Sequence, residues 1–173
     1  MNKVELNKQA KLSQHFTLGE MTKTSAKTAD GNIPSHEHIE NLKRVCRWLE
    51  RLRDEYNRKY SCGTVLQCCK QHSWDSPEGG GVIINSGYRS PAVNKAVGGV
   101  PSSNHLTGCA VDIHVIGIEQ LIRYAAILLD ISDEWKEDFD ELLLERKGNS
   151  IWLHFAVKPF ANRRKVKLLA VSS

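Results

Sequence analysis

No run of this sequence is both long enough and apolar enough to cross a membrane, which excludes a spanning helix. The stretch from Met1 to Gln14 mixes Lys, Glu, Asn and Gln with isolated Leu and Val, so it lacks the apolar stretch of a secretory leader. The expectation is therefore synthesis in the cytoplasm, with no signal peptide and with retention there unless something else releases the chain. On that expectation the five cysteines are thiols rather than bridges. Cys46 and Cys109 sit in apolar patterns and read as core. Internal repeats and low-complexity tracts are lacking, and so is a dense basic stripe joined to a nucleic-acid reading motif, so no nucleic acid is expected as partner. Nothing in the sequence signals a particular oligomeric state. The basic excess, 24 Lys and Arg against 20 Asp and Glu, gathers near the C-terminus at Arg163, Arg164, Lys165 and Lys167. That run reads as a solvated basic tail over 161–173.

What is present fits one domain. A chain of 173 residues, 40% hydrophobic and 25% charged, can bury an ordinary core without disulfide staples. After an N-terminal extension, 1–15, the domain is expected over 16–160. Thr17 can cap a short helix with Glu20 closing a capping box, and Phe16 can staple onto Met21. Ser35 caps a longer helix whose apolar positions Ile39, Leu42, Val45, Leu49 and Leu52 recur every three or four residues. Periodicity fails at about 57–81, read as a surface insertion carrying Cys62, Cys68, Cys69 and His72. A strand is expected at Val82 to Asn85, then a short helix with Ser90 as N-cap and Pro91 at its first position. A strand at Ala110 to Val115 and an amphipathic helix at about Ile118 to Leu129 come next. Two β-rich runs, Phe139 to Glu145 and Ile151 to Val157, flank a Gly148 turn and predict a hairpin. The sum is an α+β domain, helices packed on a small, mostly antiparallel sheet.

Certain polar residues break this pattern. Asp112 lies inside the strand Val111 to His114, where an unpaired carboxylate is costly to bury. His154 lies inside Ile151 to Ala156, and His105 in the loop Ser103 to Gly108. A catalytic zinc site uses three such ligands and keeps a fourth position open. Taken singly, each is more often a hydrogen-bonded structural residue. His114 shares a face with Asp112 by alternation and reads as a bordering residue rather than a ligand. The Cys62, Cys68, Cys69 and His72 group is a candidate for structural zinc, with a loop of free thiols as the plainer reading.

The runs Ser86-Gly87-Tyr88-Arg89-Ser90-Pro91, Asn104-His105-Leu106-Thr107-Gly108-Cys109-Ala110-Val111-Asp112 and Trp152-Leu153-His154 together resemble the zinc D-Ala-D-Ala carboxypeptidases and phage endolysins. The resemblance is nearest to the phage-type branch of those metallopeptidases and spans roughly Phe16 to Lys158, interrupted by the Cys-rich insertion. It implies a hedgehog/D-Ala-D-Ala-peptidase-like fold, Zn2+ as cofactor, and His105, Asp112 and His154 as its ligands. It also implies that Arg89 binds substrate and stabilises charge on the carbonyl oxygen, against a plain turn-anchoring role. The implied substrate is a peptidoglycan stem peptide, cut at a D-Ala-D-Ala or L-Ala-D-Glu bond. Release through a separate membrane-permeabilising protein is the implied route to the wall.

Many relatives place an acid three positions before the last histidine, where this chain has Ile151. Glu145 is taken as the general base instead, because the hairpin can fold it back beside His154; Asp140 and Glu141 are weaker substitutes. An exposed, ion-paired Glu145 is the bland alternative. The rival functions are a catalytically silent zinc-binding domain that recognises cell-wall peptides or a protein partner and, with much less behind it, a basic nucleic-acid-binding module.

Overall fold

The N-terminal capping box forms. Thr17 accepts from the Glu20 backbone N–H while the Glu20 carboxylate receives the Thr17 N–H, opening helix α1 (Leu18–Met21), with Phe16 and Met21 both buried. The structure, a computed structural model, describes residues 7–60 and 81–170. Helix α2 (His36–Tyr60) begins behind Ser35, whose Oγ accepts from the His38 N–H, and buries Leu42, Val45, Cys46, Trp48, Leu49 and Leu52 on one face. It continues to Tyr60, into the stretch expected as an insertion; residues 61–80, with Cys62, Cys68, Cys69 and His72, lie outside the described residues.

Strand β1 (Ile84–Ser86) is followed by helix α3 (Pro91–Ala96), with Ser90 as N-cap accepting from Val93 and Pro91 at the first position. A 3-10 helix at Asn104–Thr107 then ends on Gly108, whose φ of 72° meets the left-handed requirement of the cap. Strand β2 (Ala110–His114) leads to helix α4 (Gly117–Trp135), six residues longer than expected at its C-terminal end, where Lys136 closes it in the left-handed region. Strands β3 (Glu141–Lys147) and β4 (Ser150–Ala156) make the hairpin around Gly148.

The basic run is not a solvated tail. Lys165–Ala170 forms strand β5, which pairs in parallel with β3. Arg163, Arg164 and Lys165 are drawn into ion pairs with Asp140, Asp133, Asp138 and Glu141. The sheet order is β1-β2-β4-β3-β5, antiparallel except for the last pair.

Strand alternation divides the sheet into two unlike faces. Val111, Ile113, Leu142, Leu153 and Phe155 point to one side and are fully buried in the core shared with α2 and α4. Trp48 of α2 packs there against Phe155 and Trp135, with ring centroids 5.4 and 5.0 Å away. The other face carries Asp112, His154, Glu141, Glu145 and Trp152, and the core beneath holds that polar row in place.

Candidate metal centre

Asp112 of β2 and His154 of β4 are direct cross-strand partners, so antiparallel register alone puts the carboxylate beside the imidazole. The 3-10 helix brings His105 to the same point. Ligand atoms of the three residues lie within 4.8 Å of one another and all three side chains are buried. Among the described residues they are the group of His, Cys, Asp and Glu able to hold a metal ion. His105 Nδ1 lies 2.7 Å from the Gly87 carbonyl, an acceptor only, so that nitrogen carries the proton and Nε2 faces Asp112 Oδ1 at 3.2 Å. His154 uses the opposite nitrogen, with Nδ1 2.9 Å from Asp112 Oδ1. The donor set, two imidazole nitrogens and one carboxylate, with the outer nitrogen of His105 held by the Gly87 carbonyl, suits zinc with a position left for water.

The local charges differ in kind. Burial pushes His105 down, although Asp112 opposes it. Burial also works against a charged His154, but its hydrogen bond with Asp112 and the facing carboxylate of Glu141 outweigh that and raise it to about 9. Burial would raise Asp112, yet the two histidines hold its carboxyl well below the usual carboxylate range.

Arg89 donates from Nη2 to Asp112 and from Nε to Ser86 Oγ at 2.8 Å. The ladder is irregular beside that second contact: Ile84 pairs with Ile113 and Ser86 with Asp112, two steps along one strand against one along the other, a bulge in β1. That bulge left no mark in the sequence pattern.

Glu145 and Glu141 sit on the site face of β3, opposite Trp152 and Ala156, while Leu143 stands opposite His154. Each is thus a diagonal neighbour of His154, at roughly 7–8 Å between backbones and within reach of a long side chain. Glu145 is half-buried, and burial is the main reason its pKa is raised, with a hydrogen bond from Trp152 and the nearness of His154 opposing. No Lys or Arg forms an ion pair with it among the described residues, and the cationic group beside it is His154. Glu141 is brought down to about 2 by its interaction with His154 and by Lys165. Asp140 is completely buried and used up by Arg163, Lys158 and Asn104, which removes it from the candidates for a base. His114 is exposed at the end of β2, outside the cluster, and Ile151 packs toward the core.

A family model described as Peptidase M15 matches residues 62–132. This match supports the M15 metallopeptidase family. The matched range contains Arg89, His105 and Asp112, begins inside the stretch expected as an insertion, and ends before Glu145 and His154. No curated protein matches the chain. The match and the His–Asp–His cluster together support a metallopeptidase.

Proposed function

We propose that the protein is a zinc metallopeptidase that hydrolyses peptide bonds in peptidoglycan stem peptides, of the D-Ala-D-Ala carboxypeptidase or L-Ala-D-Glu endopeptidase type. The observation that carries this reading is the convergence of His105, Asp112 and His154 on one point, with the raised carboxyl of Glu145 on the same sheet face. His105, Asp112 and His154 would hold the ion. Zinc bound there supplies Lewis acidity and makes water a competent nucleophile near neutral pH.

The chain's own residues supply the rest. Glu145 takes a proton from the attacking water and returns it to the leaving amine, a task helped by a pKa moved up toward the working pH. Arg89, anchored by Ser86 and Asp112, steadies either the charge developing on the carbonyl oxygen or a carboxylate of the substrate. Stem peptides carry free carboxylates and D-residues, which a planar cationic fork can orient. The resemblance to phage-type enzymes makes a lysin released by a membrane-permeabilising partner the setting for this activity.

The test is hydrolysis of purified peptidoglycan by zinc-loaded protein, with mass spectrometry of the released fragments, beside His154→Ala. Cutting by the wild type and loss of both metal and cutting in the variant support the proposal, and the fragments name the bond. Stoichiometric zinc uptake with no release from several wall types would sink the enzyme reading in favour of a silent zinc-binding domain.

A further inference from the structure

We propose that Glu141 is the positioning residue for His154, holding the outer imidazole nitrogen so that Nδ1 is aimed into the cluster. This rests on the metal-binding reading of the cluster and is independent of which substrate is cut. The two histidines present opposite nitrogens, so each needs its own outer partner. For His105 that partner is the Gly87 carbonyl, at 2.7 Å from Nδ1. For His154 it is Glu141, whose Oε2 lies 3.6 Å from Nε2.

That separation is an ion-pair distance, longer than a formed hydrogen bond, so the assignment leans on how Glu141 itself is held. Its Oε1 receives Lys165 Nζ at 2.8 Å and Arg163 Nη2 at 2.9 Å. Its Oε2 receives Asn104 Nδ2 at 3.1 Å. A carboxylate offers about four lone-pair directions. Three are taken by donors other than His154, which leaves one on Oε2, the oxygen 3.6 Å from the imidazole Nε2. Asn104 directly precedes His105, so one residue ties the backing of the two histidines together. Lys165 opens β5 and Arg163 lies just before it, so the parallel edge strand fixes the carboxylate behind the metal ligand. A fixed anion behind Nε2 favours the proton there, leaves the Nδ1 lone pair free, and strengthens it as a donor.

The experiment compares zinc affinity, by competition with a chelating indicator, in wild type, Glu141→Ala and Glu141→Gln. The visible spectrum of the cobalt-substituted proteins and the nitrogen chemical shifts of His154 in the zinc-loaded state are read alongside. Expected are a 10–100-fold loss of zinc affinity in Glu141→Ala, an altered cobalt spectrum, and a His154 no longer held as the Nε2–H tautomer. Glu141→Gln, which keeps an oxygen acceptor, should recover part of the affinity and the tautomer. Should Glu141→Ala fail to fold, Glu141→Gln and Lys165→Ala carry the comparison, and affinity and spectra equal to wild type in both would overturn the proposal. A Glu141→Ala protein that melts earlier yet binds zinc and cobalt as wild type does would show a purely structural ion pair and overturn it too. A wild type that takes up neither metal removes the metallopeptidase reading, and this inference with it.

Discussion

Glu141 and Glu145 of β3 lie diagonally on either side of His154 of β4 on one face of the sheet, and their surroundings drive them in opposite directions. Glu141, in contact with His154 and held by Lys165 and Arg163, is brought down to about 2, whereas burial raises Glu145. Two carboxylates separated in this way are suited to different tasks, one as a fixed anion and one as a proton carrier.

Glu145→Gln should therefore keep zinc and the fold while lowering kcat on peptidoglycan by about 10²–10⁴-fold, the usual contribution of a general base. Zinc content by mass spectrometry and initial rates on the same preparation check it. A variant that retains wild-type kcat would move the proton to another group.

The buried Asp140 links the hairpin to the run that enters β5. Burial opposes its charge, but Arg163, Lys158 and Asn104 hold its pKa well below the ordinary carboxylate range. A lowered folded-state pKa stabilises above the unfolded value, near 4, and that contribution fades as the pH falls toward the folded value. Asp140→Asn should cost about 1–3 kcal/mol at neutral pH, because it removes the charge that accepts from Arg163, Lys158 and Asn104 while leaving the two cations within reach of water. The difference from wild type should narrow below about pH 4. Urea unfolding at pH 7, 5 and 3 checks both parts; a constant difference across that range would place the loss in packing rather than in charge.

The features written in short stretches of chain were legible before the structure. The Thr17–Glu20 capping box, the Ser90–Pro91 helix start and the Gly148 turn each depend on residues a few positions apart, and each formed. The candidate cluster was legible for another reason, since Asp112 and His154 are polar residues in apolar strands. β5 was not legible. Its Lys165-Val166-Lys167 pattern is that of an exposed edge as much as of a tail, and only pairing with β3, some twenty residues earlier, makes it a strand. The same long-range register separates Glu141 from Glu145, which local sequence presents as two similar acids.

Gly87 has no room for a side chain. A Cβ there would sit 2.3 Å from the Met21 carbonyl oxygen, the same oxygen that accepts the Tyr88 N–H at 2.7 Å, and backbone cannot swing aside as a flexible side chain would. Gly87→Ala should destabilise the fold by about 1–3 kcal/mol, in the range of overpacked sites. Because the Gly87 carbonyl also fixes His105, zinc affinity should fall with it. Thermal unfolding and a zinc titration on one preparation separate these effects, and unchanged affinity would mean that His105 finds its orientation elsewhere.

Arg89 offers a test of geometry at constant charge. Its Nε is tied to Ser86 and its Nη2 to Asp112, so the guanidinium plane is fixed while other N–H donors of the fork stay available to a substrate. A lysine keeps the charge but gathers its three donors on one nitrogen, so it cannot reach both anchors and still present a planar pair. Arg89→Lys keeps all three ligand residues and should stay loaded when zinc is in excess, and should lose about 10²–10³-fold in kcat/KM, comparable to removing one oxyanion donor. The split between the constants then assigns the role: a loss confined to KM means that Arg89 holds a substrate carboxylate in the ground state. A loss in kcat means that it acts on the charge that forms during the reaction. Full activity in the lysine variant would reduce Arg89 to an anchor for the β1 bulge.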